Sequence, residues 1–181
     1  MEIRPSTVGD TPDILDLQRA AFGHEKGSVI AELVEDLLCD ETALPSLSLV
    51  AEDQNAIVGH VLYTRVDITN PDDPVSARIL APLAVLPAYQ NQGVGRRLIN
   101  EGLGRLTASG VALVFVLGHP DYYPQCGFAP AGKQGFEAPY EIPQAHAAAW
   151  MVRELKPGVI GKIRGKVKCA ATLDQPQHWR E

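Results

Sequence analysis

The chain has little of what staples a fold, spans a bilayer or grips a polyanion. Only three of its 181 residues are cysteine: Cys39, Cys126 and Cys169. That number is odd and the spacings match no zinc pattern, which argues against a disulfide framework and a metal site, and for reduced, structural thiols. No stretch approaches the ~18 consecutive apolar residues of a membrane span. The opening residues, MEIRPSTVGDTPDIL, hold no basic start followed by an apolar run, so they do not read as a secretory leader. Positive charge is scarce as well, since 16 Lys and Arg stand against 22 Asp and Glu for a net charge of −6. A general nucleic-acid binder needs a basic footprint that this chain lacks. There is no internal repeat, low-complexity tract or linker. These absences predict a cytoplasmic protein with no nucleic-acid partner, no membrane association and no metal.

What is present is enough for a core. Apolar residues make up 45% of the chain, which suits one packed domain without staples. MEIRPST reads as a short first strand. Thr11 and Pro12 read as an N-cap and a proline at the first helical position. Ile14, Leu17 and Ala21 follow at helical spacing. Val29, Ile30, Leu33, Val34, Leu37 and Leu38 then form a second helical face, which Pro45 closes. LSLVAED and AIVGHVLYTRVDI are strand-like runs joined by Gln54-Asn55, which predicts a β-hairpin. NPDDP, from Asn70 to Pro74, is a turn. SARILAPLAVL is a central strand, but Pro82 inside it cannot donate to a ladder, so the strand should bulge or splay there. A helix follows from Val94 to about Ala108. ALVFVLG, Ala112 to Gly118, is the continuous apolar run expected of a strand buried on both faces. HPDYYPQCGF is a short turn or helical segment. Beyond Pro130, AAAWMVREL suits helix or strand, and GKVKCAATL looks like a last strand. The order β-α-α-β-β-β-α-β-α-β-β places antiparallel neighbours first and a strand–helix–strand crossover later, so the expected fold is α/β with a mixed sheet.

The chemistry concentrates between the central strand and its helix, in QNQGVGRRL, Gln90 to Leu98. Helix N-termini leave their first amide N–H groups unpaired, and the macrodipole adds about half a positive charge. Gly93 and Gly95 let an anion approach the backbone with no Cβ in the way, and Arg96 and Arg97 add charge beside it. The Gly-Lys-Ser/Thr ending of a nucleotide-triphosphate loop is missing, and so is the third glycine of a dinucleotide fingerprint. By itself the pattern is equally compatible with an ordinary strand-to-helix turn.

The longer stretch LAPLAVLPAYQNQGVGRRLI resembles motif A of the GNAT superfamily of acyl-CoA-dependent N-acetyltransferases. Leu83, Val85, Pro87, Gln90, Gly93 and Gly95 fit its L-x-V-x-P-x-x-Q/R-x-x-G-x-G/A spacing. Further on, YYPQCGF matches the family's Y-x-x-x-G-F segment through Tyr123, Gly127 and Phe128. The variant LGHPDYYPQCGF looks most like a bacterial branch of predicted N-acetyltransferases. The resemblance implies one N-acetyltransferase domain over 1–181, with 131–181 as its C-terminal part. It implies a mainly antiparallel sheet of about six or seven strands with helices on both faces and a V-shaped opening between strands four and five. It also implies acetyl-CoA as co-substrate, held by the N–H groups of Gln92, Gly93, Val94, Gly95, Arg96 and Arg97 at the pyrophosphate. Gln90 and Asn91 lie in the approach to that cradle, and the backbone of Leu83, Ala84 and Val85 lies along the pantetheine arm. The Val85 N–H could also face the thioester oxygen. The acceptor is then a primary amine of a small molecule or peptide, acetylated directly in a ternary complex. A homodimer is common in the superfamily, and nothing in these residues decides it.

Tyr123 is the resemblance's candidate general acid for the departing thiolate. A tyrosine of pKa ~10 protonates a thiolate of pKa ~8.5 uphill by roughly 2 kcal/mol, which a late transfer or a water tolerates. A lysine-like amine is neutral in only about one molecule in 2,500 at pH 7, so a base or a desolvating pocket must help. Many family members carry an acidic residue just before the L-x-V segment, where this chain has Ala81 and Pro82. The substitutes for that base are His119, the leading choice, then Asp121, Glu52, His60 or a water chain. Tyr122 and Cys126 read as packing residues. The acidic balance mildly favours a cationic acceptor, in a pocket built from the two N-terminal helices and the segment after Phe128. From a different class, the chain could instead be a non-catalytic acyl-CoA-binding sensor or regulatory domain.

Overall fold

The computed structural model describes residues 1–69 and 74–180, so most of the expected Asn70–Pro74 turn lies outside the described residues. The order is β1 (Glu2–Pro5), α1 (Thr11–Phe22), α2 (His24–Cys39), β2 (Leu47–Asp53), β3 (Ala56–Thr69), β4 (Ala77–Val85), α3 (Val94–Ala108) and β5 (Leu113–Leu117). The two-residue strands β6 (Ala129–Pro130) and β7 (Phe136–Glu137) follow, then β8 (Trp150–Glu154) and β9 (Gly165–Cys169). The expected six or seven strands become nine, because β6 and β7 are too short to leave a periodic signal. The ambiguous AAAWMVREL resolves into a 3-10 turn over Gln144–Ala149 followed by β8. Helix α1 begins one residue earlier than expected, with Asp10 as its N-cap. No helix among the described residues is long and apolar enough to cross a membrane.

One sheet holds all of these strands, with β1-β2-β3-β4-β5-β8-β6 side by side and β9 bridging β3 and β7. Gln54 and Asn55 both take positive φ, as the tight β2–β3 hairpin requires. Strand β3 is long enough to pair with β2 along its first half and with β9 from Val66 to Thr69. The only parallel pair among the central strands is β4–β5, from Ala77–Leu113 to Leu80–Val116. That parallel pair needs a crossover, and α3 supplies it.

Alternation along the strands feeds two apolar layers. Val61, Tyr63, Val114 and Val116 pack with Leu98, Ile99, Leu103 and Leu106 of α3 on one face. Leu62, Ile79, Leu113 and Phe115 meet Leu37 of α2, Trp150 and Trp179 on the other. Helices thus cover both faces, as expected. In α3, a Cβ on Gly102 would lie 2.6 Å from Tyr63 Cζ. That close approach lets the Tyr63 hydroxyl reach the Ile99 carbonyl, 3.0 Å away.

His60, one of the expected bases, sits in this interior and not at a site. It is fully buried, with Gln18 Nε2 3.1 Å from its Nδ1 and its Nε2 2.9 Å from Ser48 Oγ. Ser6 Oγ donates to the same Ser48 oxygen at 2.6 Å. Both ring nitrogens are thus held by uncharged partners, which suits a neutral ring. Burial pulls its pKa down to about 4. Glu52 is likewise occupied elsewhere. It accepts from Arg4 at 2.8 Å, and Arg4 also holds Asp10 at 2.8 Å.

These interior contacts set two measurable stabilities. Folding keeps His60 neutral, while the unfolded chain protonates it below about pH 6.5, so stability is fully present above that pH and falls as pH drops toward 4. The loss should be on the order of 3 kcal/mol in denaturant-unfolding free energy, and His60→Gln should flatten that part of the pH profile. An unchanged slope in the variant would reject the assignment. Separately, Gly102→Ala gains about 1 kcal/mol of helix propensity but overpacks a ring held by its hydroxyl, at about 1–3 kcal/mol. The expected net effect is a melting temperature lower by up to roughly 8 °C; a higher one would mean that Tyr63 can step aside.

Candidate functional site

The opening in the sheet begins at Pro82. Between the pairs Val61–Leu83 and Tyr63–Leu80, β3 contributes one residue and β4 contributes two, Ala81 and Pro82. This is the bulge that the proline predicts. Pairing of β4 with β5 stops at Leu80, so Ala81 to Val85 run on without β5. The Leu86 N–H donates to Val58 O on the β3 side. Alternation therefore turns the polar groups of Leu83 and Val85 toward the open edge and those of Ala84 toward β3. Ala84 is buried opposite His60 and is not part of the opening, contrary to its expected place along the pantetheine arm.

The open edge leads directly to α3. Gly93 caps that helix in the left-handed conformation, φ 83°, with nothing within 4 Å of where a Cβ would stand. A Cβ on Gly95 would collide with the Tyr122 hydroxyl. Tyr122, which reads from the sequence as a packing residue, thus roofs the helix start. The Arg97 N–H already donates to Gly93 O at 3.0 Å. The amides left without an intrahelical acceptor are those from Gly93 to Arg96. Arg97, expected in the same cradle, has its N–H committed to Gly93 O and does not line the cleft. Gln92 is exposed too, with its Nε2 donating to Ala88 O at 2.9 Å. The Gln90 side chain serves the backbone. Its Nε2 donates to Val85 O at 2.9 Å, which removes that carbonyl from the open edge. Asn91 takes φ 61° in the same turn.

The edge and the helix start belong to one cleft of about 1100 Å³. Leu83, Val85, Gln90, Asn91, Gly93, Val94, Gly95 and Arg96 line it, as do His119 and Tyr123. The Tyr123 ring packs edge-on to Tyr122 and to Phe128, and against Gly118, with only 9% of the residue exposed. Burial pushes its hydroxyl pKa well above the usual tyrosine range. Gly127 ends the 3-10 turn Tyr123–Cys126 at φ 85°, and Arg153 lies across it. Those contacts explain the glycine of Y-x-x-x-G-F: a side chain there would meet both backbone strain and the guanidinium. Burial raises the Cys126 thiol pKa, against the opposing pull of Arg96 and Arg153, which suits packing better than nucleophilic attack. All three cysteines are free. Asp121 is exposed and does not line the cleft. Of the four expected base residues, His119 alone does.

The far wall has two sources. Phe22 at the end of α1 and Lys26, Val29, Ile30 and Leu33 along α2 form one part. Leu173, His178, Trp179 and Arg180 of the C-terminal segment form the other. Trp179 anchors that segment, stacking edge-on to Trp150 and donating to Leu173 O at 3.0 Å. Burial lowers the pKa of His178. Periodicity alone assigns Val29, Ile30 and Leu33 to a core face, yet Val29 is 54% exposed. The apolar face of α2 is wider than the core needs, and that excess is the signal a sequence can give of such a wall. The C-terminal wall leaves no such signal.

Comparison with known proteins agrees with this architecture. Residues 2–131 match the acetyltransferase (GNAT) domain family. The chain is 46% identical over 162 residues to the uncharacterized N-acetyltransferase YjhQ of Escherichia coli K12, covering 89% of this chain and 87% of that one. The crystal structure of the Escherichia coli GNAT N-acetyltransferase YhbS in complex with CoA is similar at TM-score 0.85 and 30% identity, covering 96% of this chain and 92% of that one. A Brucella melitensis GNAT acetyltransferase in complex with acetyl-CoA is similar at TM-score 0.75 and 28% identity, over 95% and 97% of the two chains. By sequence and by fold, the chain belongs to the GNAT family of acetyltransferases.

Proposed function

We propose that this enzyme transfers the acetyl group of acetyl-CoA to a primary amine, directly and within a ternary complex. The observation that carries the reading is the junction in one cleft of an unpaired β4 edge and a glycine-led helix start. The N–H groups from Gly93 to Arg96 and the positive end of α3 suit a pyrophosphate, and the Arg96 side chain adds charge beside them. The Tyr122 hydroxyl over Gly95 supplies one further donor. On the edge, the N–H and C=O of Leu83 and the N–H of Val85 suit the amides of a pantetheine arm, which joins as an added strand. The complexes of the two similar crystal structures with CoA and acetyl-CoA support this part of the reading.

In the transfer itself, the amine nitrogen adds to the thioester carbonyl carbon and the C–S bond then breaks. Sulfur leaves with the electron pair and takes a proton, while the nitrogen gives one up, so the sum is an amide and a free thiol. Tyr123 is the donor to the departing sulfur. Because burial holds its hydroxyl protonated, it enters the reaction as a neutral hydrogen-bond donor. His119 receives the amine proton, directly or through water. The acceptor occupies the far wall, between α2 and the C-terminal segment.

Two experiments test this reading. Calorimetric titration with acetyl-CoA should give micromolar binding, and Gly93→Glu should abolish it by placing a side chain and a negative charge against the cradle. Absence of binding to the native chain would overturn the reading. Tyr123→Phe should keep acetyl-CoA affinity within about threefold while lowering kcat for thiol release by about tenfold or more, on the scale of one lost hydrogen bond to a charged group. Binding without transfer to any amine, in native chain and variant alike, would instead identify an acyl-CoA sensor.

A further inference from the structure

The far wall has a chemistry that the total charge of the chain does not suggest. A net charge of −6 favours a cationic acceptor, such as a polyamine. Yet among the described residues lining the cleft, Glu25 is the single carboxylate. The other acids of α2, Glu32, Glu35 and Asp36, are exposed and absent from the cleft. A polycation would enter with charges that one carboxylate cannot match, and each unmatched ammonium would lose hydration without compensation.

The remaining wall combines an apolar stripe with Gln177, His178 and two cations. Lys26, Val29, Ile30 and Leu33 stand at i, i+3, i+4 and i+7 on α2, so the lysine heads the same stripe as the apolar residues. Arg180 reaches the cleft from the C-terminal segment, next to Trp179. Among the described residues, neither Lys26 nor Arg180 forms an ion pair. Arg96 is the third cation, but it stands at the helix start, where the pyrophosphate reading already uses it. Among the described residues, one carboxylate against two cations leaves the acceptor end with a positive excess inside an acidic protein. Apolar surroundings also favour a neutral amine over an ammonium, which partly replaces the carboxylate base that β4 lacks.

We propose that the acceptor is a small apolar amine that also carries a carboxylate, such as an apolar α-amino acid. The side chain lies on the α2 stripe and Trp179, the carboxylate pairs with Lys26 and Arg180, and the amine is left facing the thioester. Acetylation forms its N–C bond as the C–S bond breaks, and the proton lost by nitrogen ends on the CoA sulfur. This rests on the acetyl-transfer reading of the same cleft.

The test follows thiol release from acetyl-CoA with L-tryptophan, L-phenylalanine and L-leucine, with tryptamine and phenethylamine as partners lacking the carboxylate, and with spermidine as a polycation. The expected result is a kcat/KM at least tenfold higher for an amino acid than for its decarboxylated partner, with spermidine the poorest. In Lys26→Glu and Arg180→Glu, the ratio of kcat/KM for tryptophan over tryptamine should collapse toward one. Turnover that favours spermidine or the carboxylate-free amines, a ratio that neither variant moves, or no release with any carboxylate amine would overturn the proposal. Acetyl-CoA titration of the same proteins keeps the two readings apart. Intact binding with the wrong amine preference rejects only the acceptor, whereas absent binding rejects the acetyl-transfer reading and the acceptor with it.

Discussion

The extra residue in β4 is the constraint on which the rest depends. A proline at position 82 brings no N–H to the ladder, and the strand answers by placing Ala81 and Pro82 opposite one residue of β3. Beyond that point β4 stays bonded to β3 but parts from β5, which follows it only as far as Leu80. A parallel pair that ends early exposes an edge inside the sheet, where aggregation with other chains is hindered by the surrounding elements. The β-branched and leucine-rich lower half, Ile79 and Leu80 against Phe115 and Val116, closes the base of the opening with buried contacts. The opening is therefore a built shape, held from below by core packing.

Around that edge, several polar side chains keep backbone geometry instead of facing a ligand. Gln90 holds the Val85 carbonyl, and Tyr89 donates to Asp53 at 3.1 Å, tying the turn after β4 to the β2–β3 hairpin. Together they fix where α3 begins, and so where its unpaired amides point. Tyr122 then limits the height above Gly95, so a side chain there would have to push the tyrosine hydroxyl aside. Rigid placement of this kind suits the anion-binding role proposed for these backbone amides, which carry no net charge.

Much of this is legible in the residues. Two strand-like runs joined by Gln54-Asn55 give the β2–β3 hairpin, the continuous run gives β5, and Pro82 marks the bulge. The Q-x-x-G-x-G spacing locates the helix start, although it does not distinguish Gln90 as a clamp from Arg96 as a wall residue. That distinction depends on side-chain reach, which spacing does not encode. Nor does a strand pattern tell which of its polar residues will be consumed by partners. His60 and Glu52 look available as bases, but His60 is closed in by Gln18 and Ser48, and Glu52 by Arg4, whose positions depend on α1 and β1 folding back. The C-terminal wall is silent for a similar reason. Trp179 owes its burial to Trp150, 29 positions away, and no local period records such a contact.

The proton inventory shapes how such a cleft can work. Burial makes the Tyr123 hydroxyl harder to deprotonate, so a complete proton transfer to sulfur from this group is more uphill than from an exposed tyrosine. A hydrogen bond to the sulfur does not share that penalty, and it strengthens as negative charge builds there. In the proposed transfer the tyrosine acts as a fixed donor to the departing thiolate, with the amine itself as the eventual proton source. Nitrogen becomes strongly acidic once it has added to the carbonyl, at the moment when sulfur becomes basic. With one carboxylate among the described residues of the cleft, the proposed relay from nitrogen to sulfur needs only a water or His119 between them. Such a site asks less of a resident base and more of the acceptor, which must give up its solvation to enter.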